Sequence, residues 1–558
     1  MTGAPRLARR TAWTAWATAA LLALAAGWPA RAATGAAPPT LLVLVVVDQM
    51  RADYLARYGR RWTGGLRRLL EGGAVQDQTY YPYLNTVTCA GHATLATGSW
   101  PKTHGAVMNQ WYDRTAGAVR TCTADPSVRT IAYGTNQVSR GHSAAALRVP
   151  TLAERLRGRW RGSRAVTISV KARSAIMMAG KGATAVTWHD AAGWQTSTAF
   201  GRPRREVAAA LGRLAVDPRT LPPWERLLPP DAYAGADDGP GERPPRGWTD
   251  SFPHAFDGLP NARLPIRFEE SPYSDAMLGA MAGAAIRDFR LGQRGVVDFL
   301  GVSFSATDLV GHPFGPDSHE VQDTLARLDG VLAQLLDTLD RAVGPGKYAL
   351  ALSADHGVAA VPEAARAAGL DAGRVPLGSV RAAVEGALAD LGPGPHVAHV
   401  EYTQVYLTPD TRSRATSSTM APALKALRAL PGVGAAVWNA GLPSTDDGTA
   451  TAVVDAVLAG HVPDRSGDLS VVPSEHWIFV PGTSAAGGDG TTHGSSHAYD
   501  QHVPLILFGT AFRTGHYGMR ATPADAAPTL AATVGLTLDG IEGRVLREML
   551  ADTGAPPR

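Results

Sequence analysis

Residues 41–50 read LLVLVVVDQM, an unbroken apolar run rich in β-branched valine that stops at a carboxylate, Asp48. A strand with no polar residue on either face must be covered on both, which is the condition of a parallel sheet clad in helices. Similar runs recur at Val166–Val170 (VTISV), Val296–Phe304 (VVDFLGVSF), Tyr348–Ser353 (YALALS) and Val503–Phe508 (VPLILF). Between the third and fourth of these five, Val321, Leu325, Leu328, Leu332, Leu335 and Leu339 recur at helical spacing. Asp317 and Glu320 read as a capping pair before that helix, and Gly344-Pro345-Gly346 as its stop. Strand, helix and strand in succession form a crossover unit, so the expectation is an α/β fold with a mostly parallel central sheet flanked by helices.

Two stretches interrupt this pattern. Residues 176–265 include LPPWERLLPPDAYAGADDGPGERPPRG, too rich in Pro and Gly for a regular core element, and residues 363–475 carry weaker patterns of their own. Both are read as insertions forming a smaller cap. The catalytic core is then assigned to 33–175, 266–362 and 476–558. Residues 1–32 read as a leader: Arg6, Arg9 and Arg10, then the apolar TAWTAWATAALLALAAGW, then Ala30-Arg31-Ala32 as a cleavage signal. The apolar stretch is short for a membrane span. The formal net charge is +4, but the leader holds four arginines and no acid, and without it 49 basic groups face 49 acidic ones. No basic excess remains to attract nucleic acid. The expectation is a periplasmic or secreted protein with no stable membrane anchor after cleavage and no nucleic-acid partner. Export permits a bridge between the two cysteines, Cys89 and Cys122, and sequence alone leaves that open.

The chemistry collects where the strands end. Leu41–Val47 runs into Asp48, the third run reaches Asp308 with His312 four residues on, and the fourth enters Asp355-His356-Gly357. Gly490-Thr491-Thr492-His493-Gly494 comes near the end. In an open parallel sheet, loops at the carboxyl ends of strands converge on the ligand. Each piece alone reads as a cap, a solvated pair or a turn, but their joint placement points to a metal site. Three Asp and three His, with no cysteine, suit zinc better than manganese or iron. Six protein ligands exceed what one open catalytic ion needs and suit two. Within TVTCAGH (Thr86–His92), Thr88 is the candidate nucleophile, since a nearby metal would make its hydroxyl acidic. Cys89 lacks the Cys-x-Pro-x-Arg context of formylglycine sulfatases, because Ala90-Gly91-His92-Ala93 comes after it.

Taken together, VDQMRADYL, TVTCAGHATLATG, NQWYD, VKARSAIMMAGK, SFSATDLVGHPFGPDSHE, SADHG and THGSSHAYDQHVPL resemble the alkaline phosphatase superfamily. The closer resemblance is to secreted bacterial alkaline phosphatases of the PafA and PhoK type, which use a threonine nucleophile. It implies two Zn2+, one held by Asp48, Thr88, Asp355 and His356 and the other by Asp308, His312 and His493; it leaves additional Ca2+ or Mg2+ undefined. It further implies that Asn109, Lys171 and Arg173 bind phosphoryl oxygens. Were Val166–Val170 a strand through its last residue, period-two alternation would send Lys171 and Arg173 to one side. Two cations there would favour a phosphate monoester, whose extra charged oxygen a diester lacks. The implied activity is hydrolysis of small phosphate monoesters through a phosphothreonine intermediate. A phosphodiesterase or phosphonate hydrolase on the same core is the alternative, and a non-catalytic exported binding protein is the rival from another class. His92, His497 and His502 receive no role.

Overall fold

The computed structural model describes residues 1, 37–214, 216–442 and 450–551. The leader read in residues 1–32 therefore lies outside the described residues apart from residue 1. Residues 37–551 form a single unit. Among the described residues no helix is long and apolar enough to cross a membrane.

Five parallel strands make the centre of an eleven-stranded sheet: β1 (Leu41–Val47), β2 (Ala165–Ser169), β3 (Asp298–Phe304), β4 (Tyr348–Ser353) and, beyond β2, Ala185–Asp190. β1 pairs in parallel with β3 on one side, Leu41 opposite Asp298, and with β4 on the other, Leu41 opposite Tyr348. β2 lies beyond β3. Every residue of β1 is buried, as the apolar run requires. Away from this centre the sheet is mixed: Leu505–Phe508 pairs antiparallel with β4, and Gly193–Ser197 antiparallel with Ala185–Asp190. "Mostly parallel" thus holds for the site-bearing centre and not for the wings. The fifth of the apolar runs forms a strand that begins at Leu505 rather than Val503, because Pro504 has no N–H to give to a ladder.

Six helices bear on the site or its support: α1 (Gly65–Gly72), α2 (Thr88–Thr97), α3 (Ala172–Ala179), α4 (Pro272–Asp288), α5 (Ala306–Phe314) and α6 (His319–Ala342). In α6 the leucine stripe is buried, but the cap differs from the sequence reading. Ser318 is the N-cap, its hydroxyl accepting from the Val321 amide. Asp317 instead pairs with Arg57, and Glu320 turns inward to the buried His254 at 2.9 Å. The first insertion is also smaller than 176–265. Residues 176–179 finish α3, and Ala185–Asp190 and Gly193–Ser197 are strands of the main sheet. Their alternation is obscured by Trp188, His189 and Asp190 near a tight turn. The irregular part lies against α6 through the Trp224 Nε1–H and Tyr233 O–H, which donate to Asp323 at 2.7 and 2.6 Å. Within the second stretch lies a four-stranded sheet (Val397–Glu401, Gln404–Leu407, Leu469–Pro473, Val433–Trp438) with an apolar cluster separate from the main one.

One buried carboxylate ties the start of α1 to α6. Asp329, buried on α6, accepts from the amides of Thr63, Gly64, Leu66 and Arg67 at 2.8, 2.6, 2.7 and 3.3 Å. It supplies the acceptors that a helix start lacks. Gly65 allows the approach, since a Cβ there would stand 2.3 Å from the Leu332 carbonyl carbon. Asp329→Ala is expected to cost about 3 kcal/mol of stability, read as a lowered urea midpoint with unchanged kcat/KM of the folded fraction. A midpoint within error of the parent would show that water replaces the carboxylate.

Candidate metal centre and active site

Strand order brings the acids together. Along the sheet β4, β1 and β3 are neighbours, so Asp355, Asp48 and the start of α5 emerge side by side at the carboxyl edge. The chain order reverses about β1, the place where open sheets bind ligands. The Asp48 amide still donates to the Phe304 carbonyl at 2.9 Å, which fixes its carboxylate at the sheet's end. Asp308 lies in the first turn of α5 and His312 one turn later, on the same face. The start of α5 is held by buried Asp275 of α4, whose Oδ1 accepts from Ser305 and Ala306 at 3.1 and 3.2 Å. His493 arrives on a loop tied by Asp500 Oδ2, which accepts from the amides of Gly494 and Ser495 at 3.0 and 2.7 Å and from the Ser495 hydroxyl at 2.6 Å.

Two groups result, Asp48 with Asp355 and His356, and Asp308 with His312 and His493, each offering one ligand atom per residue within 4.8 Å of the others. His356 Nε2 lies 3.5 Å from Asp48 Oδ1 and 3.4 Å from Asp355 Oδ2. Asp308 Oδ1 lies 3.4 Å from His312 Nε2 and 3.6 Å from His493 Nε2. The groups adjoin, with the His356 and His493 rings stacked at 3.5 Å.

Three observations test whether such a set fits a cation. First, the Nδ1 atoms of His312, His356 and His493 sit 3.0, 2.9 and 2.9 Å from the carbonyls of Thr491, Gly357 and Thr86. Nδ1–H donation to a carbonyl leaves the lone pair on Nε2, the arrangement of a metal-binding imidazole. Second, Asp48 Oδ1, Asp355 Oδ2 and His356 Nε2 are buried without a hydrogen-bond partner, which is costly unless a cation takes them up. Third, burial holds His356 and His493 below the ordinary imidazole range, keeping them neutral. Burial, reinforced by Asp308 and Asp355, pushes the Asp48 carboxyl well above its usual value. Burial also acts against Asp308, yet Lys171 and His312 hold it well below. The residues fit divalent metal.

Thr88 opens α2 and is buried. Two residues earlier Thr86 carries the carbonyl that takes His493, and its hydroxyl donates to the Ser495 carbonyl at 2.8 Å. The loop before Thr88 and the His493 loop are thus one assembly. Asn109 stands at the same helix start, its Oδ1 accepting from the Cys89 amide at 2.8 Å. A backbone N–H can be accepted only by the oxygen of that amide group, so Nδ2 is left as a donor. Lys171 Nζ donates to Asp48 Oδ2 at 2.6 Å and to Asp308 Oδ2, bridging the two groups. Arg173 departs from the alternation argument. β2 ends at Ser169 and Lys171 is the N-cap of α3, so Arg173 sits in a helical first turn rather than on an extended strand. It is half-buried and its Nε has no partner. Cys89 and Cys122 are joined as a disulfide.

Of the unassigned histidines, His92 packs into the site without joining either group. Its Nδ1 lies 2.9 Å from the Thr88 carbonyl and 3.2 Å from Asp355 Oδ2, and its Nε2 2.8 Å from Ser303 Oγ. His497 and His502 are bound to the carbonyls of Pro473 and Asp77, outside both groups. Sequence reasoning missed Gln49. Its backbone is left-handed at φ 68°, its amide donates to Asp355 Oδ1 at 3.1 Å and its side chain to Asp308 Oδ1 at 3.0 Å. A polar residue directly after a strand-ending carboxylate was the available signal. Gly91 was missed too: a Cβ there would meet the Asp355 carbonyl oxygen at 2.1 Å.

The sequence profile described as type I phosphodiesterase/nucleotide pyrophosphatase matches residues 42–500. Alkaline phosphatase PhoV of Synechococcus elongatus is 31% identical over 536 residues, covering 92% of this chain and 93% of that protein. Alkaline phosphatase PafA of Elizabethkingia meningoseptica is 30% identical over 548 residues, covering 93% and 96%. A crystal structure of wild-type PafA superposes with a TM-score of 0.83 at 29% identity, over 92% of this chain and 99% of that one.

The close approach of α2 to Asp355 generates a direct test. Gly91→Ala is expected to push Asp355 from its neighbours and weaken metal retention by roughly 10- to 100-fold, measured by chelator competition with elemental analysis. Unchanged retention would mean that the contact is soft.

Proposed function

The chain belongs to the type I phosphodiesterase/nucleotide pyrophosphatase family of the alkaline phosphatase superfamily, and from that premise we propose an exported, zinc-dependent alkaline phosphatase with Thr88 as nucleophile. That it is a metal-dependent phosphoric monoester hydrolase is supported by its relatives and its ligand groups. The metal's identity, the threonine route, export, cleavage of the 1–32 leader and the cap assignment are our reading. The observation that carries it is the convergence of two carboxylate–imidazole groups, with Nε2 atoms turned inward, on the first turn of the helix that Thr88 begins.

Asp48, Asp355 and His356, with Thr88, would hold one zinc, and Asp308, His312 and His493 the other. Bound there, the pair would supply Lewis acidity, lowering hydroxyl pKa and offsetting charge on the departing oxygen. The chain does the rest. Thr88 presents its oxygen to phosphorus at the N-terminus of α2, where the helix dipole favours an anion. A Thr88 O–P bond forms as the ester O–P bond breaks, the Thr88 proton leaves to solvent, and the departing alkoxide takes a proton from solvent to leave as the alcohol. Water then cleaves the phosphothreonine, restoring the hydroxyl and releasing inorganic phosphate. Asn109 Nδ2 donates to a phosphoryl oxygen. Lys171 and Arg173 supply fixed positive charge for the dianion of a monoester. Small phosphomonoesters are the substrate class.

The family profile's own description favours a second reading, a phosphodiesterase on the same metals. Two measurements decide. Thr88→Ala should lower kcat/KM for an aryl phosphate monoester by roughly 10³-fold or more while bound metal and melting temperature hold; persistence of turnover would remove Thr88 from the mechanism. Lys171→Ala/Arg173→Ala should cost the monoester at least about tenfold more than a matched diester. A parent enzyme that prefers the diester, with that preference untouched by the double variant, would establish the second reading instead.

A further inference from the structure

The Cys89–Cys122 bridge lies where a stabilising cross-link has no need to be. Cys89 is the second residue of α2, next to Thr88, and Cys122 directly follows the strand Ala118–Thr121. That strand forms an antiparallel hairpin with Gln110–Asp113, Gln110 opposite Thr121. Asn109 and Cys122 therefore face each other across the hairpin's base, and the Cys122 amide donates to the Asn109 carbonyl at 2.9 Å. The Asn109 side chain in turn accepts from the Cys89 amide at 2.8 Å. Disulfide, backbone bond and side-chain bond close a small ring with Asn109 at its centre.

The rest of the hairpin packs Trp111 into the main core and is also held from above. Gln110 Nε2 donates to Glu401 Oε1 of the cap at 3.0 Å, Tyr112 stacks on His399 with ring centroids 5.7 Å apart, and the tip is exposed. Without the bridge the hairpin keeps its cap contacts and its own ladder. What it loses is the covalent tie between its base and the nucleophile's helix. Both sulfur-bearing residues are buried, at 0% and 2% exposure, so the tie is not an adventitious surface oxidation.

We propose that the Cys89–Cys122 disulfide is a positioning device for the reaction. It fixes the separation between the Thr88 oxygen and the Asn109 amide, keeping Nδ2 aimed at the phosphoryl group by clamping Oδ1 to the Cys89 amide. The inference rests on the reading that Asn109 binds phosphate. A misplacement of the order of 1 Å in such a clamp costs up to about 10²-fold in rate.

The test is a double-mutant cycle on the full metal-loaded enzyme, comparing Cys89→Ala/Cys122→Ala, Asn109→Ala and the triple variant with an aryl phosphate monoester and with inorganic phosphate as inhibitor. Breaking the bridge is expected to lower kcat/KM by roughly 10- to 100-fold and to weaken phosphate inhibition. In the Asn109→Ala background the same change should cost about twofold or less. A melting temperature lowered with kcat/KM intact would overturn the proposal and leave the bridge a structural staple. So would losses that multiply in the triple variant. If Asn109→Ala alone leaves kcat/KM and phosphate inhibition unchanged, the phosphate-binding reading of Asn109 fails first and the proposal with it. Should the alanine pair not fold, Cys89→Ser/Cys122→Ser runs the same cycle.

Discussion

Three carboxylates and three imidazoles share one buried edge of the sheet, and gathering them there opposes folding. Each ion removed from water costs several kcal/mol unless partners repay it. The surroundings are organised around that cost. Lys171 bridges Asp48 and Asp308, Gln49 reaches both Asp308 and Asp355, and every imidazole of the two groups is turned by a backbone carbonyl. Asp48 takes the poorest share, with one oxygen unpartnered and its carboxyl pushed up first by burial and then by two neighbouring acids. A divalent ion is the group that resolves this frustration, and the stability of the edge and its chemistry are thereby one property.

One turn of the second stretch reaches that edge closely. Tyr402 joins the cap strands Val397–Glu401 and Gln404–Leu407 with a left-handed φ of 50°, a strained conformation for an aromatic residue. Its ring occupies the space that a side chain at Gly494 would need, immediately after His493. Beside it, the Thr403 hydroxyl donates to Asn85, three residues before Thr88, and Glu401 accepts from Gln110, the neighbour of Asn109. This turn therefore braces the loops bearing Thr88, Asn109 and His493.

How much of this could be read from residues alone obeys a physical division. The central strands were legible because burial on both faces leaves an apolar signature within five to nine residues. The acids were legible because they stand at the ends of those runs, where topology forces convergence. What escaped depends on contacts distant in sequence. Whether Asp317 or Ser318 caps α6 is decided by Arg57 and His254, which draw Asp317 and Glu320 away. The boundary of the first insertion was misjudged because its two strands are short and face partners outside the stretch, Gly193–Ser197 pairing with Ala124–Ala132. Arg173 was misplaced by a strand that ends one residue early. Gln49 and Gly91 act through close approach, which no local pattern encodes.

The run TVTCAGHATLAT shows where local pattern and tertiary demand diverge most. All ten residues of α2 are buried, so the helix has no solvent face and needs no amphipathic stripe. It is contacted all round: by Asp355 across Gly91, by β3 through His92 and Ser303, by Tyr83 and His104 through Thr94, and by the Asn109 hairpin through Cys89. Only small side chains let so many elements reach one helix, and only polar ones satisfy the groups they bring. A sequence of Thr, Ala, Gly and Cys is weak as a helix signal and strong as a hub. On the function proposed above, Thr88 begins that hub because its oxygen must stay fixed relative to parts of the chain as distant as Asn109 and Asp355, and an element with a solvent-facing side would leave part of that grip unmade.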